Sequence, residues 1–114
     1  MVVSRHFRET VVARLETDPE FGRELLREAN RALLIGEPDV CRALLRDLVN
    51  GTVGFVALSD RTGIPVKSAH HMLSTKGNPT MAHLAGVFQV LAEHLGGITT
   101  VLSVPPARQV TRNR

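Results

Sequence analysis

Gly63, set between the mixed polar and apolar runs 54–62 and 66–73, constrains the fold more than any other residue. A glycine there lets one helix end in left-handed backbone without a Cβ penalty. Pro65 suits the first turn of a second helix, where no backbone donor is missed. The spacing predicts two short helices joined by a tight turn. Leu58 faces inward, Ser59 is small where the second helix crosses, Ile64 plugs the turn, and Ala69, Met72 and Leu73 point to the core. Val66, Lys67, Ser68, His70 and His71 are left largely outward, a polar and partly basic set. Two readings fit this pattern. One is a helix-turn-helix, which presents its second helix to the major groove of DNA; the other is an ordinary helical hairpin.

The chain beyond the turn favours the first reading. Ser74-Thr75-Lys76-Gly77-Asn78-Pro79-Thr80 is a polar loop that cannot continue a helix. Thr80 is placed to cap the next one. That helix is expected to carry Met81, Leu84, Ala85, Phe88, Leu91, Ala92 and Leu95 on one face and to end at Gly96-Gly97. The expected class is all-α, a repressor-like helix-turn-helix bundle.

Three helical segments precede the motif. Residues 4–17 start at Ser4 and space Phe7, Val11 and Leu15 by four. Asp18 caps a second helix with Pro19 at its first position. Its stripe is Phe21, Leu25, Ala29 and Leu33, widened by Leu26 and Ala32, and Gly36 closes it. Glu37-Pro38-Asp39 leads into a third, with Val40, Leu44, Leu45 and Leu48 inward. The chain then divides into an N-terminal helical extension (1–36), the helix-turn-helix bundle (37–97), and a short strand with a basic tail (98–114). The extension is either solvated cover or a docking surface for a protein partner. Ile98 to Val104 is rich in β-branched residues and reads as a short strand stopped by Pro105-Pro106. A lone strand has unpaired edges. It either pairs with the same strand of a second subunit, giving a two-fold dimer, or is an irregular tail packed on the bundle.

Composition narrows the function classes. The 114 residues suit one domain, and the absence of Trp and Tyr leaves no stacking platform for single-stranded nucleic acid. The net charge of +3 is uneven: residues 1–50 carry −1 and residues 51–114 carry +4. The acid-poor half is the one with the motif, as expected of a surface facing phosphates. Arg108, Arg112 and Arg114 supply half of that half's positive charges, so a basic tail alone produces much of the tilt. Cys41 has no cysteine partner, and its apolar neighbours suggest a small buried hydrophobe in a reducing cytoplasm rather than a reactive thiol. No long apolar run or signal segment is evident, so no membrane association is expected. No enzyme is expected either. His70 and His71 point about 100° apart on a helix and do not make a metal site with Cys41. His83 and His94 are expected to face solvent, and no phosphate loop, nucleophile elbow or paired catalytic carboxylate is present. Neither a metal nor a cofactor is implied.

A longer pattern carries a family resemblance. Leu45-Arg46-Asp47-Leu48-Val49-Asn50-Gly51-Thr52-Val53-Gly54-Phe55, then Thr62-Gly63-Ile64-Pro65, Lys67-Ser68, Met72-Leu73 and Lys76-Gly77-Asn78-Pro79-Thr80, resembles the addiction-module antidote family. These are HigA-like antitoxins with a phage-repressor-type DNA-binding domain. The similarity is strongest over 40–95 and weaker at Phe7-Arg8-Glu9-Thr10 and Asp18-Pro19-Glu20-Phe21. The resemblance implies an antitoxin that binds a RelE-like toxin and represses its own operon as a homodimer on double-stranded DNA. The alternative is a stand-alone helix-turn-helix regulator; a pure interaction module whose motif is structural is a third.

In the DNA reading, Lys67 donates to guanine, His71 lies one turn later on the same face, and Val66 meets a thymine methyl. Ser68 and His70 serve bases or phosphates. With no bidentate arginine in the reading helix, specificity leans on DNA shape. Lys76, Asn78 and the free N–H groups at the helix starts near Gly54 and Thr80 are the expected phosphate contacts.

Overall fold

Asp18 and Pro19 act as their types dictate: the Asp18 carboxylate accepts from the Phe21 N–H at 3.1 Å and Pro19 opens the helix. The computed structural model describes residues 5–103, and their regular structure is helical throughout. The elements are α1 (Arg5–Thr17), α2 (Pro19–Leu34), α3 (Pro38–Gly51), α4 (Gly54–Thr62), α5 (Val66–Met72), α6 (Met81–His94) and α7 (Ile98–Leu102). Ser4 lies outside the described residues, as do 104–114 with the basic tail.

One hydrophobic core joins all seven helices. Leu15 of α1, Leu26, Ala29 and Ala32 of α2, and Cys41, Leu45, Leu48 and Val49 of α3 meet Phe55 and Leu58 of α4 in it. Ala69 and Met72 of α5, Val87, Val90, Leu91 and Ala92 of α6, and Val101 of α7 complete it, together with Ile64, Leu73 and Leu95 from the connections. The first two helices thus bury side chains in the core shared with α4 and α5. Cys41 is buried, and desolvation pushes its thiol above the ordinary value, which suits a packing residue and disfavours a thiolate.

Three stripes keep their expected inward residues for most of their length and lose them at single positions. Leu33 and Val40 are exposed although their spacing put them inward. In α6, Val87 and Val90 are buried, whereas Met81 is 86% exposed and Ala85 is also outward. The helix has more apolar residues than one stripe can hold, so packing against α2, α3 and α4 decides which of them are covered.

The strand expected over 98–104 is a helix up to Leu102. Gly97 breaks the chain direction at φ +96°, after which Val101 N donates to Gly97 O at 3.0 Å. Val101 buries its side chain in the core. Arg27 of α2 donates to Val101 O at 2.6 Å and reaches Ser103 O at 3.5 Å, satisfying carbonyls that end the helix. No partner strand exists among the described residues, so an extended segment would leave its backbone unpaired. Tertiary capture therefore overrides β propensity. Dimerisation through that strand has no structural basis.

Glu20 ties Arg27 and Arg23 together at 2.8 Å each, and Arg23 donates to Leu95 O at 2.9 Å. Hydrogen bonds from the two guanidinium groups hold the Glu20 carboxyl below the ordinary value. On α3, Asp47 behaves oppositely: burial raises its pKa, more than Arg8 at 3.7 Å and Arg46 lower it. A carboxyl with a raised native pKa binds its proton more tightly folded than unfolded. Its contribution to stability therefore declines as pH rises from the ordinary carboxylate range through the native value. Asp47→Asn is expected to remove that decline and raise the melting temperature at neutral pH, measured by thermal unfolding from pH 3 to 7. A lower melting temperature would show that the Arg8 pair outweighs burial.

Candidate nucleic-acid interface

α4 ends at Gly63, whose φ of +79° is the left-handed conformation the turn requires, with Gly63 N donating to Ser59 O at 2.8 Å. Thr62 Oγ accepts from Ile64 N at 3.2 Å, and Ile64 is buried in the turn. Pro65 sits immediately before α5, its carbonyl accepting from Ala69 N at 2.9 Å. Ala69, Met72 and Leu73 are buried, while Val66, Lys67, Ser68, His70 and His71 are exposed, as the sequence indicates.

The exposed set divides into two groups. Lys67, Ser68 and His71 line a cleft of about 430 Å³ opposite Asn78, Pro79, Thr80 and His83. His70 is not among the residues lining it: its ring stacks on Phe55 with centroids 3.9 Å apart and planes at 20°. Val66, at the start of α5, and Lys76, in the loop, are exposed beside the cleft without lining it.

The loop after α5 is held from both ends. Ser74 N and Oγ donate to His71 O at 3.1 and 2.6 Å, closing the helix. Gly77 N then donates to Ser74 O at 2.9 Å. Arg42 of α3, itself paired with Asp39, donates to Ser74 O at 3.1 Å and Thr75 O at 3.2 Å. Gly77 passes so close to α5 that a Cβ there would collide with the Met72 and His71 carbonyls. Thr80 Oγ accepts from His83 N at 3.1 Å and so fixes the start of α6.

Arg42 and His83 are the residues that sequence reasoning missed. Nothing local points from Arg42 to a loop more than thirty positions away. His83 had a local signal, because the third helical residue after a Thr cap lies in the first turn beside the loop.

Among the described residues, the cations of this face lack the carboxylate partners that most of the arginines have. Arg8, Arg14, Arg23, Arg27, Arg31, Arg42 and Arg61 each have a carboxylate partner. Lys67, His71, Lys76 and His83 are in no ion pair among the described residues. No acidic residue occupies the first turn of α4, α5 or α6, as is also true of α1 and α7. The surface therefore offers hydrogen-bond donors and uncompensated positive charge, complementary to a polyanion. Among the described residues no three His, Cys, Asp or Glu side chains group to hold a metal ion, and no helix is long and apolar enough to cross a membrane. No protein-family model, curated protein or solved structure matches the chain.

Proposed function

We propose that α4 and α5 form a helix-turn-helix that binds double-stranded operator DNA, and that the protein is an antitoxin repressing its own operon while neutralising a RelE-like toxin. The observation that carries the DNA half is the exposed basic set Lys67, His71 and Lys76, which is in no ion pair among the described residues. The toxin half rests on the resemblance of residues 40–95 to the antidote family. Two copies on half-sites one helical turn apart would double the phosphate contacts of a single small domain.

In this reading Lys67 contacts a base edge and Val66 a thymine methyl, with Ser68 beside them. Asn78, Lys76 and the free N–H groups at the start of α6 take phosphates. His70 is left to packing against Phe55. Lys67→Ala is expected to weaken operator binding by about 1–3 kcal/mol with the fold unchanged by circular dichroism. Unchanged affinity would remove α5 as the reading element.

Co-expression with the product of the adjacent small gene tests the toxin half. Rescue of growth and a co-purifying complex are expected. A non-toxic neighbour, or a toxic one that is neither bound nor relieved, leaves the stand-alone regulator.

A further inference from the structure

We infer that the cleft between α5 and α6 is a backbone-phosphate site clamped by His71 and His83, and that duplex binding is consequently coupled to proton uptake. The inference rests on the DNA reading above and names the ligand group and its regulation. Lys67, Ser68 and His71 come from α5, His83 from α6, and Asn78 and Thr80 from the loop that joins the two helices. Every polar side chain around the cleft can donate a hydrogen bond, and no carboxylate lines it.

His83 occupies the first turn of a helix fourteen residues long, whose N-terminal end favours an anion. An anion seated in the cleft interacts favourably with both a protonated ring and the helix start. Histidine is the side chain whose charge changes between pH 5 and 8. A phosphodiester, anionic throughout that range, therefore draws protons onto the two rings as it binds.

The surrounding charges do not supply a competing partner. On α5 these are Lys67, lining the cleft, and His70, stacked on Phe55. On α4 they are Asp60 and Arg61, the latter paired with Glu93 of α6 at 3.0 Å. Lys76 lies in the loop, and on α3 Arg42 pairs with Asp39, with Arg46 and Asp47 on the same helix. His94 ends α6, away from the cleft. None of the acids lines the site.

Phosphate contacts carry no sequence information, so a generic duplex in low salt is a sufficient probe. By anisotropy at constant ionic strength, the wild-type protein is expected to bind about tenfold more tightly at pH 6.0 than at pH 8.0, the size of one charge-assisted contact. The double variant His71→Gln/His83→Gln should bind equally at both pH values, and His94→Gln should keep the wild-type difference. His83→Lys fixes the charge and should recover most of the pH 6.0 affinity at pH 8.0. Duplex binding that is equally tight at both pH values overturns the inference and leaves the DNA reading standing. Absence of duplex binding at either pH overturns both. If millimolar inorganic phosphate shifts the His71 and His83 ring signals in NMR while duplex does not, the site serves a free anion and its assignment to DNA is wrong.

Discussion

Leu58→Ala is expected to lower the unfolding free energy by about 2–5 kcal/mol. Leu58 is completely buried in the core that α4 shares with α3, α5 and α6. Shortening it removes apolar contacts and leaves a cavity that seven short helices around one core cannot readily close. A domain of this size has a total stability of about 5–15 kcal/mol, so the variant sits near the edge of folding. Urea unfolding provides the measurement: the midpoint should fall while the dependence on denaturant stays the same. A change under about 1 kcal/mol would mean that the α4 contacts are looser than their burial implies.

Gly77→Ala is the second large effect, and it separates loop geometry from core packing. The added methyl would meet backbone carbonyls of Met72 and His71, which cannot rotate away as a side-chain tip can. Overpacking of this kind costs about 1–3 kcal/mol. The loop that must move carries Lys76 and Asn78 and leads into Thr80 and His83. Duplex affinity should therefore fall even at temperatures where the variant is fully folded. Lost stability with unchanged affinity would show that the loop does not position contacts to DNA.

If the N-terminal extension docks a protein partner, deleting α1 and α2 is the obvious way to separate that role from DNA binding. Leu15, Leu26, Ala29 and Ala32 belong to the common core, so such a truncation tests folding first. Surface substitutions on α1 and α2 are the cleaner probe.

The legible parts of the sequence were those decided by neighbours along the chain. Asp18 caps α2 through a residue three positions on, and Gly63 turns the chain within its own backbone. Leu58, Ile64, Ala69, Met72 and Leu73 could be assigned inward because the turn leaves short helices few ways to pack. The strand expectation failed because the fate of 98–102 depends on Arg27, 74 positions before Val101. On α6 the expected Leu84, Phe88, Leu91, Ala92 and Leu95 do face the core, while Val87 and Val90 join them and Met81 and Ala85 do not, a shift set by neighbouring helices. The candidate surface was partly visible. Lys67, Ser68, His71 and Asn78 do share one cleft, whereas the sequence gives no sign that His70 would be engaged by Phe55 or that Arg42 would hold the loop.

The most direct test of the central claim is an anisotropy titration of labelled DNA from upstream of the protein's own gene, repeated over a salt series beside an unrelated duplex. The account predicts tighter binding to the upstream DNA, an affinity that falls steeply with salt as phosphate contacts release counterions, and loss of the preference in Lys67→Ala. Equal binding to both duplexes, or none at low salt, would contradict the assignment of α4 and α5 as an operator-reading helix-turn-helix.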